Sequence, residues 1–218
     1  MVKKSGQEAA VQTSGGWKFS IADSFSYGMK KTGEFFWPTI GLAVLCEAVV
    51  WLLCVLQVLT GIFGLIICLF SIVVNVLISI GWIKILLAVL NGQKPALKYF
   101  SWADLKYFWT MLGTNILYSL IILGGYILLV IPGLVWTITY AFAPLLVIDK
   151  KLSVTQALAA SRKLVSGQRW PVFLWSLAIG IFNLAGLLCL GLGLLFTLPV
   201  SFYASAYLYG RLAGKTIN

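Results

Sequence analysis

The chain has 218 residues, of which 61% are hydrophobic and only 10% charged, with a mean hydropathy of +0.98. Soluble domains carry about a quarter of their residues as charged side chains, so this composition excludes a freely soluble globule and leaves a membrane protein. The net charge of +10 would suit a nucleic-acid binder, but the basic residues are confined to segments between every second apolar block, which assigns them to membrane orientation and excludes nucleic acid as the partner.

Residues 1–17 are polar, with Lys3 and Lys4 running into Gly, Ser, Gln and Thr, and the first apolar block begins only near Phe35. That pattern is not a cleavable signal peptide and reads as a short disordered tail. Residues 18–218 read as a single membrane domain. Its apolar blocks are each long enough to cross a hydrocarbon core, which needs about 20 helical residues. Strand-type alternation is missing, and backbone groups in lipid must be satisfied internally, so the blocks are expected to be helices.

Spans are expected near 36–59, 63–90, 110–131, 133–149, 171–190 and 193–212. Gly61 and Gly64, Ile131-Pro132-Gly133, and Gly191-Leu192-Gly193 supply very short turns between successive spans, pairing them as helical hairpins. Ahead of each hairpin stands a Ser with an acid or amide three residues on: Ser20 and Asp23, Ser101 and Asp104, Ser153 and Gln156. This resembles a capping box and predicts a helix start. Helical spacing gives the three segments apolar stripes at Ile21, Phe25 and Met29, at Trp102, Leu105 and Trp109, and at Val154, Leu158, Ser161 and Val165 with Ala157. Such helices either lie on the anionic cytoplasmic surface or pack against the bundle. The expected fold is therefore all-α, a polytopic membrane bundle of six transmembrane helices in three hairpins, each preceded by a cytoplasmic interfacial amphipathic helix.

Leu128, Leu129, Pro132 and Tyr140 recur in the spacing of Leu195, Phe196, Pro199 and Tyr207, which suggests parallel repeats over 19–91, 100–149 and 152–212, the first diverged. Lys3, Lys4, Lys18, Lys30 and Lys31 precede the first span. Lys84, at the end of the second span, and Lys94, Lys98 and Lys106 separate the first hairpin from the next. Lys150, Lys151, Arg162, Lys163 and Arg169 follow the second hairpin, and Arg211 and Lys215 close the chain. All 16 basic residues thus fall on one face, and the positive-inside rule puts both termini in the cytoplasm. Lys30, Lys31, Lys98, Lys106, Arg162, Lys163 and Arg169 are the candidate contacts to anionic lipid headgroups.

Glu47 is the one ionisable residue near mid-span, where a carboxylate is costly unless neutral, paired or facing a wet cavity. Lys84 is its candidate partner, and Asn75, Asn115 and Asn183 complete a candidate intramembrane polar site. Gln57 and these Asn residues also suit hydrogen bonding between helices. Trp37, Trp102, Trp109 and Trp170 flank the cytoplasmic span ends as an interfacial belt, while Trp51 and Trp175 fall inside spans and are expected to pack. Cys46, Cys54, Cys68 and Cys189 lack CxxC spacing and there is no His, so they read as small buried apolar residues.

At Pro132-Gly133-Leu134, Tyr140-Ala141-Phe142-Ala143-Pro144, Asp149-Lys150-Lys151, Gln156-Ala157-Leu158, Ser161, Leu164, Gly167 and Arg169-Trp170, the chain resembles a broad group of small uncharacterised six-span bacterial integral membrane proteins. That group is similar to the membrane domain fused to some glycerophosphodiester phosphodiesterases. The resemblance spans roughly 19–212 and implies the six-span architecture and the bacterial cytoplasmic (inner) membrane. It carries over no catalytic residue.

With no His, no paired carboxylates, no phosphate loop and no nucleophile motif, the chain is expected not to be an enzyme and to need no cofactor or metal. The expected function is that of a non-catalytic membrane protein organising lipid or a membrane partner through its basic cytoplasmic face, the expected partners being anionic membrane lipids, a protein partner or a homo-oligomer. The alternative is a small-molecule or ion transporter or channel using Glu47.

Overall fold

The computed structural model describes residues 18–60, 64–128, 130–188 and 193–215, so the expected tail 1–17, Gly61, Leu129, Cys189 and the Gly191-Leu192 turn lie outside the described residues. Among the described residues all regular structure is helical. It comprises α1 (Ile21–Leu59), α2 (Gly64–Leu90), α3 (Phe108–Leu128), α4 (Val130–Tyr140), α5 (Ala143–Lys150), α6 (Val154–Val165), α7 (Arg169–Leu188) and α8 (Leu194–Leu212), with 3-10 turns at Leu97–Tyr99 and Trp102–Tyr107. Five segments are long and apolar enough to cross a membrane: α1, α2, Leu105–Ile127, Pro132–Lys150 and α7.

The expected sixth span, α8, is not among those five. It contains Tyr203, Tyr207 and Tyr209 beside Ser201, Ser205, Pro199 and Arg211, which lowers its hydropathy. The same helix is the most enclosed in the molecule, with Val200, Tyr203, Ala204, Ala206, Leu208 and Tyr209 completely buried. A helix surrounded by protein need not be apolar all round, because its polar groups find partners on its neighbours and not in lipid.

Its principal neighbour is α1. Ser20 caps α1 as expected, its side chain accepting the Asp23 N–H at 3.3 Å. This first helical segment runs on into the first span with no loop between them. A kink marks the join: Phe35 leaves helical geometry at φ −121°, ψ 24°. Pro38 explains it, having no N–H for the Glu34 carbonyl and a ring that crowds it.

The buried stripe of that first segment departs from expectation only in part: Ile21 packs against the core and Phe25 meets Phe182 edge-on at 5.3 Å. Ser24, Gly28 and Thr32 are enclosed, whereas Met29 is about half exposed. Residues four apart share a helix face, and this one is a seam of small residues that lets two backbones approach. A Cβ on Gly28 would stand 2.5 Å from the Val200 carbonyl oxygen and 3.3 Å from Ala204 Cβ. The Trp175 indole N–H of α7 donates to Ser24 Oγ at 2.9 Å, and further along α1 Thr39 Oγ1 and the Tyr203 hydroxyl share a buried hydrogen bond.

Proline chemistry also splits the expected fourth span. Tyr140 ends α4 because Pro144, four residues on, offers no N–H to the Tyr140 carbonyl, and α5 restarts at Ala143 with that proline in its first turn. At the corresponding place in α8, Tyr207 is followed four residues later by Arg211, and the helix runs on to Leu212. The two stretches that match in sequence thus differ in structure at the one position where proline replaces a donor. In the second segment the turn over Trp102–Tyr107 is 3-10 and feeds directly into α3, in place of the separate helix expected there. The third is a free-standing α-helix, α6, with the Ser153 N–H held by Gln156 Oε1 at 3.2 Å in a capping box.

Replacing Gly28 by Val forces α1 away from a backbone atom that cannot yield. The expected cost is about 1–3 kcal/mol, read as a lower thermal unfolding midpoint in detergent. Gly33→Ala is the matched control, since nothing lies within 4 Å of its added Cβ, and it should leave the midpoint unchanged or raise it.

Candidate functional site

The packed core gathers at the ends of the helices that carry the basic residues. Phe19, Leu90, Phe108, Leu146, Val165 and Leu212 are all part of one buried cluster, and each lies within a few positions of Lys or Arg in sequence. α6 closes this end by burying Ala157, Leu158, Ser161 and Val165. Ser161 Oγ donates to the Thr139 carbonyl at 2.8 Å, which ties α6 to the last turn of α4. On its other side Arg162 and Lys163 are exposed.

Asp149, at the end of α5, is the polar anchor of this region. The Tyr209 hydroxyl donates to Asp149 Oδ2 at 2.6 Å, and Lys215 Nζ pairs with Oδ1. Arg211 Nε donates to the Tyr207 hydroxyl at 3.2 Å while its guanidinium sits 5.5 Å from that ring. Arg211 and Lys215 are therefore committed to holding the end of α8 in place. Lys31 is likewise engaged, with Glu34 at 3.2 Å.

Lys30, Lys98, Lys106, Arg162, Lys163 and Arg169 remain exposed. Lys98 and Lys106 lie over the rings of Tyr99 and Tyr107, at 5.2 and 5.0 Å. Two of the set converge. A cleft between α4 and α7, with an open volume of about 440 Å³, has Leu134, Val135, Ile138, Trp170 and Phe173 as walls and Arg169 at its rim. It adjoins a second compartment of about 410 Å³ that shares Val135 and Arg169 and adds Arg162, Thr139 and Tyr140. No described carboxylate lines either compartment. The same walls Leu134, Ile138 and Phe173 continue inward to a third, apolar compartment beside Trp175. Two guanidiniums lining one compartment without a counter-charge favour an anion there, and the apolar walls of the adjoining cleft suit a hydrocarbon chain.

The candidate intramembrane residues are not brought together. Glu47 is exposed on α1, and among the described residues it makes no hydrogen bond or ion pair, with Lys84 or otherwise. Lys84 is half-buried on α2 and is engaged elsewhere. Asn75 is exposed and its amide donates back to the Ser71 carbonyl at 2.8 Å. Asn115 is half-buried on α3. Asn183 reaches another helix, its Oδ1 accepting from Ser201 Oγ on α8 at 3.1 Å. Cys46, Cys54 and Cys68 carry free thiols but are not buried as expected, Cys54 being exposed and the other two half-buried. Trp37, Trp109 and Trp170 are exposed and Trp175 packs, but Trp51, expected to pack, is 68% exposed.

The sequence reading had no access to the Asp149 anchor, the Trp175–Ser24 bond or the Thr39–Tyr203 pair, because each joins residues more than 50 positions apart. The one local signal was the four-residue spacing of Ser24, Gly28 and Thr32. No known family model matches the chain, and comparison with curated proteins and with solved structures finds no match either.

Loss of Asp149 should free the last turn of α8. For Asp149→Ala a destabilisation of about 1–3 kcal/mol is expected, since a partly buried Tyr hydroxyl and Lys215 lose their partner. It is read together with faster proteolysis after residue 208 in detergent. Asp149→Asn, which keeps the Tyr209 bond, should fall between.

Proposed function

We propose that this chain is a non-catalytic integral membrane protein that holds anionic phospholipid at its basic face. In this reading α8 completes a set of six crossings, paired as three hairpins, with both termini in the cytoplasm. The observation that carries it is the apolar α4–α7 cleft with Arg169 at its rim, next to the compartment that Arg162 and Arg169 both line, neither of them lined by a described carboxylate. A phosphate oxygen pair matches the planar guanidinium fork, and an acyl chain fills the apolar cleft. The exposed Lys30, Lys98, Lys106 and Lys163 add a diffuse attraction to an anionic leaflet, worth about 1 kcal/mol for each basic residue near the surface. The resemblance to small six-span bacterial membrane proteins supports the same topology. Protein partners remain compatible with this face, but the cleft favours a lipid.

The test is lipid retention. Protein extracted from membranes and exchanged into detergent should keep phosphatidylglycerol or a similar acidic lipid through purification. Arg162→Gln with Arg169→Gln should lower the retained acidic lipid roughly tenfold while leaving zwitterionic lipid unchanged. Equal retention in the two proteins, or retention that ignores headgroup charge, overturns the reading. Ion or solute flux in reconstituted vesicles that disappears in Glu47→Ala would favour transport instead.

A further inference from the structure

The outer half of the α1–α2 pair is little enclosed, with Phe100 and Ser101 lining a groove against one side of it. Burial along α1 stops at Leu42, and along α2, between Gly64 and Val76, no residue is buried. Most of this surface is Leu, Ile and Val, which lipid can cover. Three side chains on it are poorly suited to lipid: Glu47 and Asn75, both exposed, and Trp51, one turn beyond Glu47 and 68% exposed.

The two polar residues lie at one depth. Gly64 rests against the backbone carbonyl of Gln57, so close that a Cβ there would stand 2.7 Å from it. With only residues 60–63 between them, α1 and α2 pack antiparallel, and that contact sets their register. Glu47 lies ten positions before Gln57 and Asn75 eleven after Gly64. At 1.5 Å per residue the two are level to within about 2 Å, some 15 Å in from the contact.

We infer that this face docks a second copy of the chain, with Glu47 of each copy accepting a hydrogen bond from the Asn75 amide of the other. Membrane insertion gives both copies the same sidedness, so the two-fold axis runs along the membrane normal and only residues of equal depth can meet across it. Glu47 and Asn75 satisfy that condition. Their chemistry is complementary too. Asn75 has one N–H left after its bond to Ser71, and both Glu47 oxygens lack partners among the described residues. A lipid tail offers neither donor nor acceptor, whereas a symmetric partner offers both, twice. Trp51 adds a rigid aromatic surface beside the pair, of the kind enriched at interface centres. This inference does not depend on the lipid cleft, which lies on α4 and α7.

The experiment is energy transfer between donor- and acceptor-tagged copies in phosphatidylcholine vesicles over a range of protein-to-lipid ratios. The native chain should associate as a dimer. Glu47→Ala and Asn75→Ala should each weaken association roughly tenfold, since each removes two interhelical hydrogen bonds per dimer. The double alanine variant should lose no more than either single one. The exchange Glu47→Asn with Asn75→Glu should restore association to within a few-fold of native, which no unfolded variant could do. A native chain that stays monomeric overturns the proposal. So do single variants that associate as the native does, losses that simply add in the double variant, or an exchange that fails to restore pairing while its thermal midpoint matches native.

Discussion

Close approach between α1 and α8 is the contact on which the remaining architecture rests. Helices in lipid gain little from hiding apolar surface, because the tails around them are equally apolar, and they associate where small side chains allow backbones to touch. Gly28, between Ser24 and Thr32 on the enclosed face of α1, meets Val200 and Ala204 in this way. The approach also solves the difficulty posed by α8. With three tyrosines, two serines and a proline it is a poor lipid-facing helix, and it is accommodated by enclosure. Thr39 meets Tyr203, Asn183 meets Ser201, and Asp149 meets Tyr209, so three different helices satisfy polar groups along its length.

Much of this could be read from the chain before any coordinates, and the failures share one cause. Helical class and most span boundaries follow from block length, since a membrane leaves the backbone few other options. The Ser20 and Ser153 helix starts follow from local capping chemistry, which depends on residues three apart. Sequence reasoning went astray where apolarity was equated with burial. Of Ile21, Phe25 and Met29 the first two do pack, against the core and Phe182, but Met29 faces outward and the small residues Ser24, Gly28 and Thr32 are the enclosed ones. Trp51 was expected to pack for the same reason and faces outward. The break after Tyr140 was announced by Pro144, yet a single apolar run concealed it. The cleft between α4 and α7 was not legible, because nothing local to Arg162 or Arg169 reveals that they face a shared space.

Packing and charge are concentrated at the same end of the molecule. That coincidence has a physical source: at the basic end the chain meets water, where apolar burial again contributes to stability. Phe19, Leu146, Leu158 and Leu212 form a core of ordinary soluble character there, and α6 is built like a soluble helix, buried on one side with Arg162 and Lys163 on the other. The basic end therefore has the rigidity needed to hold two guanidiniums at the mouth of a cleft. Arg211 and Lys215 contribute by holding α8 in place, while Arg162 and Arg169 line a compartment that holds no described acid.

The opposite end follows the other rule. Beyond Leu42 and before Val76 the first helix pair has no soluble-type core to join, and its apolar side chains are at equilibrium with lipid whether or not anything docks there. Specific association in such a setting must come from groups that lipid cannot satisfy. A carboxyl and an amide at the same depth are the smallest such set, and they act only between copies inserted in the same direction. In the proposed pairing the basic residues, through the positive-inside rule, give both copies that shared direction.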